Sequence, residues 1–459
     1  MLKIVPIEHT VSMQSCQAIR QLCGCPDQCI GVTLAVATAA IEPRHLGSGR
    51  IACLRIYAKY PRSAVTRGPP KGPADAAGLI RAARELAPKI EAARADIERE
   101  RQMPRGLVDA VGEAGLFALW LPKAFDGPEL NLVDYIRVIE ELARADGSAA
   151  WCATVAACYS RIAGYLQPEV ARRIFGGGRT VVAGTINPTG KAFAVDGGHR
   201  VTGRWAYGSG ILHSTWTLGS CIVHGRDGPR RGSSGAPEIR LLIFPTSAVE
   251  VIDTWHVSGL RGTGSHDYRV ADLFVRDDHS IPCFDATPLQ PGTLYAVPMI
   301  TVLSVAIAAV PLGIARAAID AAVELALVKT PYSSSLLLRD KPTFQAAVGR
   351  AEARLGSARS FLLATVNDLW DEVSSGAAAS MRRRSLVRLA CTQAAQSAAQ
   401  AVDLMYNAGG STSLYESCSR LERCFRDVHA CTQHIATSTD SYELGGRVLL
   451  GLDPGRPQF

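Results

Sequence analysis

Over residues 74–179 the apolar positions recur at three- and four-residue steps. Leu79, Ala83, Leu86, Ile90, Ala93 and Ile97 share one face and Arg81, Arg84, Glu91 and Glu98 the other, which predicts an amphipathic helix. Leu132, Ile136, Ile139 and Leu142 mark a second helix, stopped by Asp146 and Gly147 and set apart from the first by the turn residues of 124–128. Residues 151–166 are apolar and small, and read as a third, well-buried helix. Near Thr180 the period shortens. Short β-branched or alternating runs at 181–183, 200–202, 216–218, 239–243, 249–252 and 268–275 are separated by Gly, Pro and Asp, and predict an antiparallel β unit of roughly 100 residues. The Gly-, Arg- and Ser-rich stretch 225–236 reads as a surface loop.

From about Leu294 helical periodicity returns. Four long segments, 300–328, 343–373, 381–408 and 419–438, joined by short connections, predict an antiparallel four-helix bundle. Residues 297–315 are apolar enough to imitate a membrane span. Pro298 and Pro311 interrupt them, however, and the pattern runs on through Ile319, Ala322 and Leu325, so a buried bundle helix is expected. The order predicts an α+β chain with a helical N-terminal domain over 74–179, a central antiparallel β domain over 180–290 and a four-helix bundle over 291–459.

Composition narrows the function classes. With 459 residues, 47% hydrophobic and 20% charged, the chain can bury a large core in more than one packed unit. Its net charge of +7 is concentrated: residues 1–73 hold nine Lys+Arg against three Asp+Glu, which leaves +1 for the rest. That implies no basic groove for nucleic acid on the folded body, and the run Arg382, Arg383, Arg384 reads as a solvated helix end or loop. Five of the 13 cysteines (Cys16, Cys23, Cys25, Cys29 and Cys53) lie in the first 53 residues and the others are scattered, a pattern of reduced thiols expected in the cytoplasm. Cys23, Cys25 and Cys29 crowd like metal ligands, but no second pair follows at finger spacing and His45 is isolated, so no metal site is expected. Residues 1–73 read as a disordered extension or a misassigned start without a secretory signal, joined to the folded body by the Gly- and Pro-rich stretch 67–73.

Gly259, Gly262 and Gly264 have the spacing of a dinucleotide loop, but they sit between β runs and open no helix. Neither a phosphate-binding Gly-Lys-Ser/Thr loop nor a nucleophile elbow is present. What stands out is a hairpin-rich surface made by NPTGKA at 187–192, GRWAYGSG at 203–210 and HSTW at 213–216. It offers backbone amides, a hydroxyl and flat aromatics, which suits a planar heteroaromatic ring: Trp205 lies against the ring and Ser209 bonds its polar edge, unless Trp205 is core filler and Ser209 a turn residue.

These segments, together with WHVSGLRGTGS at 255–265 and RCFRDVHACTQH at 423–434, resemble the acyl-CoA dehydrogenase superfamily. They are most similar to its flavin-dependent monooxygenase branch, which includes the oxygenase components of two-component phenol and hydroxyphenylacetate hydroxylases and the dibenzothiophene monooxygenases. The likeness spans residues 74–452. It implies a homotetramer with reduced flavin, FMN or FAD, held between β domain and bundle. A partner flavin reductase supplies that flavin, and O2 and an aromatic or heteroatom-bearing small molecule are the co-substrates, without nucleic acid or membrane.

By motif, the resemblance places Ser209 at the flavin N5 edge and Arg261, Thr263 and Ser265 along the flavin or substrate cavity. It sets Asn407, Gly409 and Gly410 in a bundle turn whose backbone approaches flavin, often that of a neighbouring subunit. His434 faces the substrate, with Trp151 and Tyr159 beside it; Tyr159 stands where several hydroxylases carry a histidine. On a continuous helix His429 and His434 cannot both point inward, and Asp427, Ala430 and Cys431 would share the face of His434. A neutral imidazole there would accept a phenolic proton or hold it by a hydrogen bond, whereas Arg423, Arg426 and Asp427 are expected in structural ion pairs.

The alternative within the same fold is an acyl-CoA dehydrogenase with bound FAD, which needs a carboxylate base. The glutamate expected after the Arg-Asp pair is replaced here by the stretch from His434 to Thr437, and no acid follows until Asp440 and Glu443. Asp320 and Glu324 are the remaining acids to inspect.

Overall fold

The computed structural model describes residues 75–176, 180–232, 235–284, 286–332 and 334–456. The extension over 1–73, with its cysteines and linker, lies outside them. The described chain opens with α1 (Ala76–Ala92), which begins where the Asp75 carboxylate accepts the Gly78 N–H at 2.7 Å. One continuous helix was expected here, but the chain restarts at Ala93 as α2 (Arg94–Glu100), and Leu79, Ala83, Ile90 and Ile97 all stay buried. After α3 (Arg105–Glu113), α4 (Leu132–Ala145) is capped by Asn131 and α5 (Gly147–Ser160) by Asp146. Small side chains let α5 sit buried almost all round, and α6 (Pro168–Phe175) closes this helical layer.

Eight strands follow among the described residues: β1 (Val182–Val195), β2 (Gly198–Gly208), β3 (Trp216–Gly225), β4 (Gly228–Pro229), β5 (Ile239–Pro245), β6 (Glu250–Ile252), β7 (His266–Arg276) and β8 (Ser280–Pro282). Their order is β6-β7-β2-β1-β3-β5-β8, with β4 paired to β3. The sheet is mixed, where an antiparallel one was expected. β1 and β2 form a hairpin, but β3 returns to the free edge of β1 rather than pairing with β2, so two reversals leave β1 and β3 parallel. The register shift between Thr185 and Gly190 in β1 spans Pro188, which has no N–H to give the ladder.

The C-terminal layer holds α7 (Thr293–Ala296), α8 (Met299–Ala326), α9 (Pro342–Ser374), α10 (Met381–Gly409), α11 (Leu421–Cys431) and α12 (Asp440–Leu449). The first three bundle segments fall within about two residues of their sequence-based bounds. The fourth stops at Cys431 because polar side chains take over the backbone: Thr432 Oγ1 donates to the His429 carbonyl at 2.8 Å, and His434 Nδ1 accepts the Ala436 N–H at 3.1 Å. α8 is the one described helix long and apolar enough to cross a membrane, but 89% of its most apolar window is buried inside the protein. Its small side chains account for the close packing. At Gly313 a Cβ would meet the Ala143 Cβ on α4 at 2.5 Å.

Candidate active site

A cavity of about 870 Å³ opens between α5, the sheet, the start of α8 and the turn at 433–435. One wall is a chain of hydroxyls. Trp151 Nε1 donates to Ser209 Oγ at 3.2 Å, Ser209 Oγ lies 2.7 Å from Ser265 Oγ, and Ser265 Oγ lies 2.7 Å from Thr263 Oγ1. Thr263 spends its proton on the Leu260 carbonyl at 2.8 Å. Ser265 must therefore donate to Thr263, and Ser209 to Ser265, if every contact is to be a hydrogen bond. The polarity of the chain leaves Ser209 with an unused lone pair, an acceptor for a ligand N–H. The loop over 255–265 that carries two of these hydroxyls is pinned at Gly259, where a Cβ would strike the backbone of Arg426 and Asp427.

His434 faces the same cavity, its ring edge-on to Trp151 at 5.6 Å. Burial lowers its pKa to about 4, so the imidazole is neutral at ordinary pH. Because Nδ1 accepts a backbone N–H, the remaining proton sits on Nε2, which bonds nothing else among the described residues. The geometry thus makes His434 a donor into the cavity rather than a proton acceptor. It also sits beyond the end of α11, not on a helical face with Asp427. His429 does point elsewhere, half-exposed and 2.8 Å from Asp403.

The far end is aromatic. Tyr159 and Cys158 line it, the phenol held protonated by burial and the thiol pushed up to about 12. Arg161 follows immediately after α5, flanked by Tyr165 and Tyr295, whose ring centres lie 5.3 and 5.4 Å from its guanidinium carbon. Tyr207 stands at the mouth with a positive φ of 66° at a bulge in β2, edge-on to Trp255. Arg161, Tyr165, Tyr207 and Tyr295 were not singled out from the sequence; the one available signal was an arginine inside the apolar run 151–166.

Of the residues singled out, Trp151, Tyr159, Ser209, Thr263, Ser265 and His434 converge on this cavity and five others lie outside it. Trp205 is fully buried inside the sheet, stacked on Tyr268 at 5.3 Å with Nε1 donating to the Ser220 carbonyl, so its ring is not offered to a ligand. Arg261 turns to Glu98 at 2.9 Å. Asn407, Gly409 and Gly410 close α10, where Asn407 bonds the Asp403 carbonyl and Lys329 Nζ the Gly409 carbonyl. No acid lines the cavity among the described residues. Asp320 pairs with Arg144 and Arg316, Asp440 with Arg456, and Glu324 borders a different groove.

The fold and this site define a class with known members. The pattern described as the acyl-CoA dehydrogenase N-terminal domain matches residues 77–176, and that of the acyl-CoA dehydrogenase C-terminal domain matches 305–439. Indole-3-acetate monooxygenase of Pseudomonas putida is 32% identical over 78% of this chain and 90% of its own length. Among solved structures, XiaF from a Streptomyces species in complex with FADH2 and glycerol has a TM-score of 0.78 at 27% identity, over 84% of this chain and 98% of that one. The HsaA monooxygenase from M. tuberculosis has a TM-score of 0.76 at 25% identity, over 84% and 100%. The chain belongs to the acyl-CoA dehydrogenase family. Within it, these relatives place the chain among the flavin-dependent monooxygenases rather than the dehydrogenases, and it is an enzyme of that branch.

Proposed function

We propose that this chain is the oxygenase component of a two-component system: it takes reduced FMN or FAD from a separate reductase and uses O2 to hydroxylate an aromatic small molecule. One observation carries the reading. The hydroxyl chain ends on Ser209 as an acceptor, inside a cavity where the described lining holds a neutral imidazole and no carboxylate base. A reduced flavin carries N–H at N5, the donor that this acceptor fits, and the apolar walls suit a flat ring.

Bound reduced flavin supplies the electrons and the oxygen activation; the protein supplies position and dryness. Ser209, backed by Ser265, Thr263 and Trp151, holds the polar edge of the ring. His434 donates Nε2–H to the oxygen of a phenolic substrate that enters as its phenolate, its proton left in solvent, and this hydrogen bond holds the anion whose ring is the better nucleophile. Tyr159, Val155 and Ile307 keep water from the reacting edge. Asn407, Gly409 and Gly410 lie outside the cavity of their own chain, and we assign them to the flavin of a neighbour in a homotetramer. Reduced scattered thiols support a cytoplasmic setting.

Stopped-flow mixing of the reduced-flavin complex with oxygen, with and without a panel of phenols and indoles, tests the reading. A substrate-dependent change in the absorbance trace, accompanied by hydroxylated product, is expected. Flavin reduction by an acyl-CoA, with no product from any panel member, would overturn it.

A further inference from the structure

Arg161 is 95% buried by its 5% exposure, yet no carboxylate among the described residues pairs with it. Its Nη2 donates to the carbonyls of Leu294 and Val297 at 3.2 and 3.1 Å, which seats the side chain without an ion pair; Glu129 acts on the neighbouring Tyr295 phenol but forms no salt bridge with Arg161. Among the described residues Nε–H has no hydrogen-bond partner, and neither has the buried phenol oxygen of Tyr295 beside it. A guanidinium cannot shed its proton, so a buried one without a counter-ion is costly until an anion arrives. Arg161 is also the only Lys, Arg, Asp or Glu among the described residues lining the cavity.

We propose that the Arg161 end of the cavity is a carboxylate subsite and that the substrate is an aromatic carboxylic acid. Its ring lies toward Ser209 and His434, and its carboxylate accepts from Arg161 and Tyr295 between the two tyrosine faces. This rests on the monooxygenase reading for what happens at the ring, but the subsite itself does not. A flavin phosphate is the other source of anion. It fits less well, because its second negative charge would meet no second cation in the described lining, whereas a single carboxylate balances a single guanidinium.

Calorimetric titration of flavin-free and FMN-loaded protein with aryl acids and their neutral amides tests this, indole-3-acetate against indole-3-acetamide first and phenylacetate against its amide second. The acids are expected to bind at least about tenfold more tightly than the amides, as a buried charge-assisted bond requires. Arg161→Gln should bring acid and amide within about twofold while affinity for the amide and for reduced FMN holds. Arg161→Lys should keep part of the preference. Should Arg161→Gln fail to fold, Tyr295→Phe is expected to weaken the acid but not the amide.

Equal binding of acid and amide by the wild type, or binding of none of the acids, would overturn the subsite. So would an Arg161→Gln defect that appears with FMN but not with riboflavin, which would assign the cation to the flavin phosphate. Asp285 lies outside the described residues, between Phe284 and Ala286 of the lining. A tenfold gain in acid affinity on Asp285→Asn would make it the internal counter-ion and would also overturn the proposal. Absence of reduced-flavin binding with acid preference intact would sink the monooxygenase reading and leave the subsite standing.

Discussion

Two hollows in this chain carry buried charge and use it differently. The cavity between sheet and bundle has one cation and no acid among its described lining residues. The other hollow, a groove of about 740 Å³, is bordered by the α4–α5 junction, α8 and the stretch 416–424, and its buried charges, Arg423, Asp146 and Asp427, are paired. Arg423 meets Glu98 at 3.2 Å and Asp146 at 3.3 Å, Arg426 meets Glu98 at 3.0 Å, and Asp427 accepts the Leu260 N–H at 2.6 Å. That cluster ties α2, α5, the 255–265 loop and α11 together, and it fixes the loop that bears Thr263 and Ser265. Burial of a charge therefore does not mark a site by itself. A charge that lacks a partner does.

The largest expected effect falls on the matched cluster. Arg423→Ala leaves Asp146 and Asp427 buried without their cation and is expected to destabilise the fold by about 3–5 kcal/mol in denaturant titrations. Arg161→Gln should cost no more than about 1–2 kcal/mol, since the two carbonyl bonds it loses are offset by relief of an unpaired buried charge. Comparable losses would erase the distinction between the hollows.

His434 comes next. Its pKa in the folded state, about 4, lies below the ordinary 6.5, so between those values the unfolded chain binds a proton that the folded chain refuses. Stability is full above about pH 6.5 and falls as pH drops toward 4, by roughly 3 kcal/mol from this one group. His434→Gln should flatten that decline in thermal melts at graded pH. Part of the slope would remain, because burial lowers His213 to about 4 as well. The same variant is expected to slow product formation at least about tenfold while flavin affinity stays within about threefold.

Ser209→Ala removes the acceptor at the end of the hydroxyl chain and orphans Trp151 Nε1. Reduced-flavin affinity, followed by anaerobic fluorescence titration, should fall about tenfold. Arg261→Ala should matter least. Its side chain is 38% exposed and pairs with Glu98 outside the cavity, so a loss under about 1 kcal/mol and an unchanged flavin titration are expected.

The layers were legible in the sequence because periodicity reports burial, and α8, α9 and α10 are long enough for that signal to be unambiguous. The parallel β1–β3 pair was not, since strand order depends on which edge the chain returns to and no local residue encodes it. The hydroxyls of Ser209 and Ser265 were picked out by motif, but their contact across 56 positions is a product of folding. Trp205 and Tyr207 show the limit of alternation. Two residues apart on one strand they should share a face, yet the bulge at β2 sends Trp205 into the core and Tyr207, at positive φ, to the cavity mouth. His434 was picked out by motif, and the helical face expected to carry it is not the one it occupies. Its donor role comes from a backbone contact two residues away, which no periodicity displays. Arg161 was passed over because the apolar, small residues of 151–166 set the reading of that run as a buried helix, and nothing local shows what an arginine within it faces.

The most direct test of the central claim is isotopic. Protein loaded with enzymatically reduced flavin is mixed with 18O2 and a phenolic aryl acid, and the product is weighed by mass spectrometry. One labelled oxygen on the ring of the product, formed at least about tenfold more slowly with His434→Gln at matched flavin occupancy, is the expected result. Desaturation of an acyl-CoA under anaerobic conditions, with no label entering any aromatic compound, would contradict it.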